Sequence, residues 1–238
     1  MGRIALPFPV LPGKTEAEIR SISEHFKSNP EEYAESRRRG GVTLERAYWQ
    51  HTPMGDFVVA YVESTGPIEQ ALAAPTQSDL AIDKFFVEAI MDIHGIDLTQ
   101  ATPGPAPEVL GEWSDPSATT RGRGMAFCAP GIPGTEDRGR LWTRDTFASE
   151  GMTRSRRALA ENLELVTLVQ TPQGPVLAVY LEGEDPFEAN RRFAASTDPF
   201  DVAFKEECTH LFPPFIDFNQ PVPGITEIFD SQEVLARR

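Results

Sequence analysis

Histidines are the first residues to consider, because the imidazole pKa lies closest to neutral pH among the side chains. The chain has four of them. His51 stands at the end of a predicted strand that also carries Tyr48 and Trp49, beside a predicted hairpin turn. An imidazole near aromatic side chains can serve as a general base towards an apolar substrate. The sequence leaves open the alternative that His51 is an exposed hairpin residue without chemistry.

A second histidine, His210, lies four residues after Glu206 on a predicted helix, so that both side chains share one face. Two ligands are too few for a zinc site, and a surface ion pair is the simpler use of this spacing. His210 is also the histidine that could ligate haem, which we keep as a minor alternative. The sequence has no glycine-rich phosphate loop and no G-x-S-x-G motif, so we predict neither a cofactor nor a metal site.

Composition argues against several classes of partner. The chain has 36 acidic and 22 basic side chains, a formal net charge of −14, and no basic tract that would neutralise phosphates. We therefore expect no nucleic acid and no membrane as partner. Neither a signal peptide nor a run of about twenty apolar residues is evident, and only two cysteines are present. These features favour a cytoplasmic protein without a disulfide framework.

The segments that would position these residues occur twice. Residues 97–104 and 217–224 share the pattern D-x-x-Q-x-x-P-G. The predicted hairpin turns at 52–55 and 171–174 match at their Thr, Pro and Gly positions, and each is followed by a Tyr-x-Glu segment. We interpret the chain as a tandem duplication, with a first module at 1–115, a linker at 116–124 and a second module at 125–238.

Each half reads as strand, helix, strand, strand, helix and strand. This order is the ferredoxin-like plan, in which helices cover one face of an antiparallel sheet. The fold class predicted is therefore α+β, with two tandem ferredoxin-like modules that bury their bare sheet faces against each other. Such a chain would be a monomer with an internal pseudo-dimer, or a homodimer.

Short motifs resemble those of the dimeric α+β barrel superfamily. They are Pro12-Gly13 and its counterpart Pro133-Gly134, the hairpins, and the segment A-S-T-D-P-F-D at 195–201. The last is similar to a Ser-Thr-x-Pro-Ile/Phe-Asp box in small bacterial domains of unknown function, and the first half keeps it only in part, at 77–83. The superfamily includes cofactor-free monooxygenases, polyketide cyclases, isomerases, haem proteins and small-molecule sensors, so the resemblance implies a pocket between sheet and helices rather than one reaction.

Combining these observations, we expect an apolar or aromatic small molecule to bind in the first module. His51 would handle a proton in a cofactor-independent monooxygenase-, cyclase- or isomerase-like reaction, within walls formed by Trp49, Phe57, Tyr61 and Phe86. The competing hypothesis is a non-catalytic ligand-binding or protein-interaction module.

Residues that occur in both halves are explained most simply by folding. On this basis the matched Asp97 and Asp217 are expected in turns, and the matched arginines near 37 and 156 are expected on the surface at helix ends.

Overall fold

The computed structural model describes residues 1–100 and 104–236. The chain divides into two compact units: unit 1 is Met1–Ile4, Phe8–Pro103 and Thr226–Arg238, and unit 2 is Ala5–Pro7 and Gly104–Ile225. Residues 101–103 of the first D-x-x-Q-x-x-P-G segment lie outside the described residues. The compact units are not the same as the predicted modules, because each unit takes residues from both halves of the chain. The module boundaries at 115 and 125 therefore remain a prediction.

Helices and strands occur along the whole described chain. No helix among the described residues is long and apolar enough to cross a membrane. In chain order the elements are β1 (Gly2–Pro9), α1 (Glu16–Ser28), α2 (Pro30–Gly40), β2 (Val42–Thr52), β3 (Gly55–Ser64), α3 (Ile68–Ala73) with a 3-10 turn (Ala74–Gln77), α4 (Ala81–His94), β4 (Glu108–Ser114), β5 (Arg123–Pro130), α5 (Glu136–Phe147), α6 (Glu150–Ala158), β6 (Glu161–Thr171), β7 (Gly174–Gly183), α7 (Pro186–Ala195), α8 (Pro199–Leu211), β8 (Ile225–Asp230) and α9 (Ser231–Leu235).

The strands form two four-stranded antiparallel sheets, so the fold is mixed α+β. The order is β1-β3-β2-β8 in unit 1 and β4-β6-β7-β5 in unit 2. The fourth strands are therefore exchanged: β4 pairs with β6, and β8 lies beside β2, whereas we expected each half to complete its own sheet. In either arrangement the long strands β2 and β6 are covered at an edge that would otherwise expose unpaired backbone groups.

The first helix of unit 1 is predicted as one element but is broken in two. Thr15 caps α1 in a capping box with Glu18, and the helix ends at Asn29 because Pro30 cannot continue it. Pro30 instead occupies the first turn of α2, where its missing N–H costs no hydrogen bond. The break turns α2 so that its side chains can reach β2 and α4.

One face of the unit 1 sheet packs against helices. Trp49 of β2 and Val58 of β3 are register partners, and both contact Ile19 of α1 and Ile93 of α4 in a buried cluster. Because side chains alternate along a strand, Tyr48 and Tyr61 lie on the opposite face, where both are fully buried. We refer to these as the helix face and the opposite face of the sheet.

In unit 2, helices pack on the sheet through a corresponding cluster. Trp113 of β4 and Val166 of β6 meet Phe147 of α5 and Met152 of α6. Gly111 of β4 allows α5 to approach closely, because a Cβ atom at that position would collide with the side chains of Thr143 and Phe147.

Candidate functional site

A histidine–aspartate pair lies at the hairpin end of the unit 1 sheet. His51 and Asp56 are register partners across β2 and β3, and His51 Nδ1 lies 2.6 Å from Asp56 Oδ1. The His51 side chain is 76% exposed. A carboxylate bonded to Nδ1 orients the ring and leaves Nε2 directed to other partners, which is how histidines are prepared for proton transfer. We call His51 and Asp56 the hairpin-end pair.

The backbone around this pair is held on two sides. Within the turn, Thr52 Oγ1 donates to the Gly55 carbonyl at 2.7 Å and accepts from the Met54 amide at 3.1 Å. Val10, just after β1, donates its amide to the Asp56 carbonyl at 2.8 Å. Two exposed apolar side chains are adjacent in the chain to these anchors, Leu11 at 40% and Met54 at 54% exposure. The pair therefore lies on a hydrogen-bonded backbone, and two exposed apolar residues are close to it in the chain.

The structure brings only some of the predicted site residues together. Trp49 shares the helix face with His51, but it is 7% exposed and belongs to the core. Phe57 and Tyr61 lie on the opposite face, since their register partners are Gln50 and Arg46. The Tyr61 hydroxyl donates to Glu63 Oε1 at 2.7 Å.

The fourth predicted wall residue, Phe86, lies on α4. It packs against the cluster that contains Phe26 and Tyr33, with the Arg37 guanidinium 5.6 Å from its ring centroid. The four aromatic residues consequently do not form one wall around His51. Whether one of these side chains can contact a ligand at His51 depends on its place and burial in the fold, and not on its residue type.

The corresponding position in unit 2 has no ionisable pair. Gln170 and Pro175 are the register partners at the end of β6 and β7, above a turn with the same Thr171 Oγ1 to Gly174 carbonyl bond at 2.8 Å. The Gly131 amide donates to the Pro175 carbonyl at 2.8 Å, as Val10 does to Asp56. The backbone is thus the same in both units, and only unit 1 carries the hairpin-end pair.

A buried polar network lies under the helices of unit 1. Arg37 of α2 donates from Nε to Glu45 Oε2 on β2 at 2.7 Å, and its Nη1 lies 3.3 Å from Asp83 Oδ1 on α4. Ser36 donates to the same Asp83 oxygen at 2.5 Å, and Tyr33 donates to Glu45 at 2.9 Å. Burial lowers the pKa of Arg37, but the charges and hydrogen bonds of Glu45 and Tyr33 together keep this pKa above its usual value.

Unit 2 has a matching network in which the partners are Arg156, Glu164 and Asp201. Arg156 of α6 donates from Nε to Glu164 on β6, and Ser155 donates to Asp201 Oδ1 on α8 at 2.5 Å. Asp201 also accepts from Ser196 at 2.6 Å, which gives the S-T-D-P-F-D segment a structural role. Lys205, also buried, donates to the carbonyls of Ala194 and Ser196, both at 2.9 Å.

Glu161 distinguishes the unit 2 network from that of unit 1. It is 3% exposed, its Oε2 atom has no hydrogen-bond partner, and that oxygen lies 3.5 Å from Arg156 Nε. The pKa of Glu161 is raised to about 8. Burial is the largest cause, Arg156 acts in the opposite direction, and the carboxylates of Glu164 and Asp201 add to the rise. Val42 begins β2 where Glu161 begins β6, so unit 1 has an apolar side chain at the corresponding position.

Both networks were missed from sequence, because the arginines were expected on the surface. Arg37 and Arg156 are instead 6% and 3% exposed. The available signal was the recurrence of their partners, Glu45 with Glu164 and Asp83 with Asp201, on strands and helices of both halves. When both an arginine and an oppositely charged residue recur in the two halves, a buried ion pair is indicated. The position of an arginine at a helix end is a weaker guide to its burial.

The turn aspartates and His210, the second histidine considered from sequence, complete the survey of predicted groups. Asp97 Oδ1 accepts from the Thr99 amide and Asp217 Oδ1 from the Asn219 amide, both at 2.9 Å, which confirms their role in turns. His210 is exposed on α8. Within 1–100 and 104–236, no group of three or more His, Cys, Asp or Glu residues could hold a metal ion.

Comparisons with known proteins give two matches, both among solved structures. No family model and no curated protein matches the sequence. A crystal structure from Fusobacterium nucleatum, described as a "Putative monooxygenase", is similar at 12% identity and a TM-score of 0.47, covering 94% of this chain and 88% of that chain. A likeness of this size supports no conclusion about fold or activity.

Proposed function

We propose that the hairpin end of unit 1 binds an apolar or aromatic small molecule and that His51 transfers a proton of that molecule. The observation that carries the proposal is the hairpin-end pair, with His51 Nδ1 2.6 Å from Asp56 Oδ1 and the ring 76% exposed. An exposed imidazole oriented by a carboxylate is poised for general acid–base chemistry without a cofactor. The reaction class would be proton removal from, or return to, a phenolic or polyketide-like substrate.

Two features support an apolar ligand at this place. Leu11 and Met54 are large apolar side chains left exposed close in the chain to the backbone anchors of the pair. Trp49, two residues before His51 on the same face of the sheet, is packed in the core and would form the floor beneath the imidazole. Phe57 and Tyr61, also expected from sequence as wall residues, lie on the opposite face and are not kept as ligand contacts at His51.

At the level of fold, we propose that the two halves are copies of one ferredoxin-like module related to dimeric α+β barrel proteins. The support is the recurrence of the same order of strands and helices, together with the matching polar networks. Under this proposal the hairpin-end pair is an acquisition of one copy, since Gln170 and Pro175 stand at the corresponding positions.

The test begins with the ligand. The purified protein is incubated with a small-molecule extract of its host and isolated, and the retained compounds are identified by mass spectrometry. Wild type and variants are then assayed with the retained compound in D2O, following product formation and deuterium incorporation. We expect His51→Ala to retain the ligand and to lose about 10²- to 10⁴-fold in proton transfer.

Matched variants separate the possible outcomes. Asp56→Asn removes the orienting carboxylate and should lower proton transfer in part, while Gln170→Ala at the corresponding position of unit 2 should leave it unchanged. A retained ligand with no conversion and no deuterium exchange would favour the non-catalytic binding module. No retained compound at micromolar protein would contradict ligand binding altogether.

A further inference from the structure

The junction between α6 and β6 in unit 2 combines two unfavourable features that unit 1 lacks. The residue before β6 is Ala160, whose φ of 60° makes it the one non-glycine residue with positive φ among those described. The residue before β2 is Gly41, with a φ of 67°. Alanine is strained in this left-handed region because its Cβ crowds the backbone, whereas glycine adopts it freely.

The backbone requirement is the same at both junctions. The Ala160 amide donates to the Arg157 carbonyl at 3.0 Å, and its carbonyl accepts from the Glu184 amide at 3.0 Å. Gly41 makes the same two bonds, to Arg38 and from Thr65, at 3.2 and 2.9 Å. The strain at Ala160 therefore arises from the residue and not from a different path of the chain.

Glu161, the next residue, is the second unfavourable feature. Its carboxyl group is buried without a hydrogen bond at Oε2, because Arg156 Nε, 3.5 Å away, already donates its one N–H to Glu164. A buried polar group without a partner calls for an explanation. In its protonated form the carboxyl carries no charge, which removes most of the cost of burying it.

The charged and titratable groups near Glu161 come from four elements. Arg156 lies on α6 and Glu164 on β6, while α8 contributes Asp201 and the Cys208 thiol, which is close enough to Glu164 and Arg156 to feel their charge. Lys205, also on α8, donates to the carbonyls of Ala194 and Ser196, and Arg192 of α7 donates to the Ala158 carbonyl from an exposed position. One buried guanidinium thus faces three buried carboxyl groups, and a proton on one of them reduces the excess of negative charge.

We propose that the proton of Glu161 controls a local opening of the α6–β6 junction, which loosens when this carboxyl ionises, while the α2–β2 junction of unit 1 has no such control. Strain at Ala160 lowers the free energy needed to open this junction. Ionisation of Glu161 makes that free energy depend on pH. The proposal does not depend on the function of the hairpin-end pair.

The direction of the pH dependence follows from linkage. The closed state keeps the proton of Glu161 up to about pH 8, whereas an opened, solvated glutamate loses it near its ordinary pKa of 4.5. The open state is therefore favoured increasingly as pH rises between these two values and reaches a plateau above the higher one. With these values the opening constant rises about 400-fold between pH 5 and pH 8.

Hydrogen–deuterium exchange measured by mass spectrometry tests this proposal on the full chain. After correction for the intrinsic pH dependence of amide exchange, peptides covering residues 150–171 should lose protection from pH 5 to pH 8, and peptides covering 30–52 should not. Glu161→Gln and Glu161→Val should abolish the pH dependence, the second by installing the residue type of unit 1. Ala160→Gly should raise protection at every pH without changing its slope.

Three results would overturn the proposal. One is equal loss of protection in both segments, which would indicate global unfolding. Another is an unchanged pH dependence in Glu161→Gln. The third needs no variant: a ¹³C NMR titration of the wild-type Glu161 carboxyl with a midpoint near 4.5 would show that the closed state does not hold the proton.

Discussion

The two units use one backbone plan but differ at its two ends. At the hairpin end, unit 1 has His51 and Asp56 where unit 2 has Gln170 and Pro175. At the helix–strand junction, unit 2 has Ala160 and Glu161 where unit 1 has Gly41 and Val42. Each unit thus carries ionisable groups at the end where the other carries none.

The shared parts show what the fold requires. An arginine that is buried under helices joins a strand glutamate to a helix aspartate in both units, with a serine on the same aspartate. Since this arrangement recurs in both units, we attribute it to folding. The residues that differ between the units are therefore the better candidates for specialised roles, and the following predictions test that division.

The largest effect is expected from the shared networks. Replacing Arg37 or Arg156 with Ala leaves two buried carboxylates without their counter-charge and should lower the free energy of unfolding by about 3–5 kcal/mol. Urea denaturation followed by fluorescence and circular dichroism measures the loss. Arg157→Ala is the matched control, because its pair with Asp115 is half-exposed on the arginine side and should cost less than about 1 kcal/mol. Similar losses at Arg156 and Arg157 would contradict a structural role for the network.

A smaller effect on stability is expected when unit 1 receives a glutamate at Val42, the position that corresponds to Glu161. Val42→Glu places a carboxyl at the half-buried position that corresponds to Glu161, and should cost about 1–3 kcal/mol above pH 7. Because the cost comes from placing a charge there, it should shrink as pH falls and the carboxyl takes up a proton. Unfolding at pH 5 and pH 8 checks this. The exposed neighbour Thr43→Glu should be nearly neutral at both pH values, and an equal cost of Val42→Glu at both would show that charge is not its cause.

Sequence reasoning recovered the elements better than their partners. The four strands of each half were predicted in their order, because apolar residues, hairpin glycines and prolines act locally. The exchange of β4 and β8 was not predicted, since the choice between two chemically similar edges depends on tertiary packing. For the same reason the residue types of Trp49 and Tyr61 suggested a shared pocket, whereas their strand positions place them on opposite faces.

Exchanging the junction residues gives a moderate effect of opposite sign in the two units. Gly41→Ala should lower the free energy of unfolding by about 1–2 kcal/mol, because the φ of 67° is strained for alanine and the new Cβ would lie 3.0 Å from Thr65 Oγ1. Ala160→Gly should raise it by only about 0.5 kcal/mol, since glycine gains entropy in the unfolded chain. Denaturation midpoints measure both changes. Loss of stability in Ala160→Gly would contradict strain at the α6–β6 junction.

The smallest effect on stability belongs to the hairpin ends. His51→Ala and Gln170→Ala should each change the free energy of unfolding by less than about 0.5 kcal/mol, because an exposed pair such as His51 and Asp56 contributes little. If the pair is retained for chemistry and not for folding, only His51→Ala should change proton transfer, while the denaturation curves of both variants overlay the wild type. A clear loss of stability in His51→Ala alone would instead make the pair a structural feature of the turn, and the difference between the two hairpin ends would then concern folding.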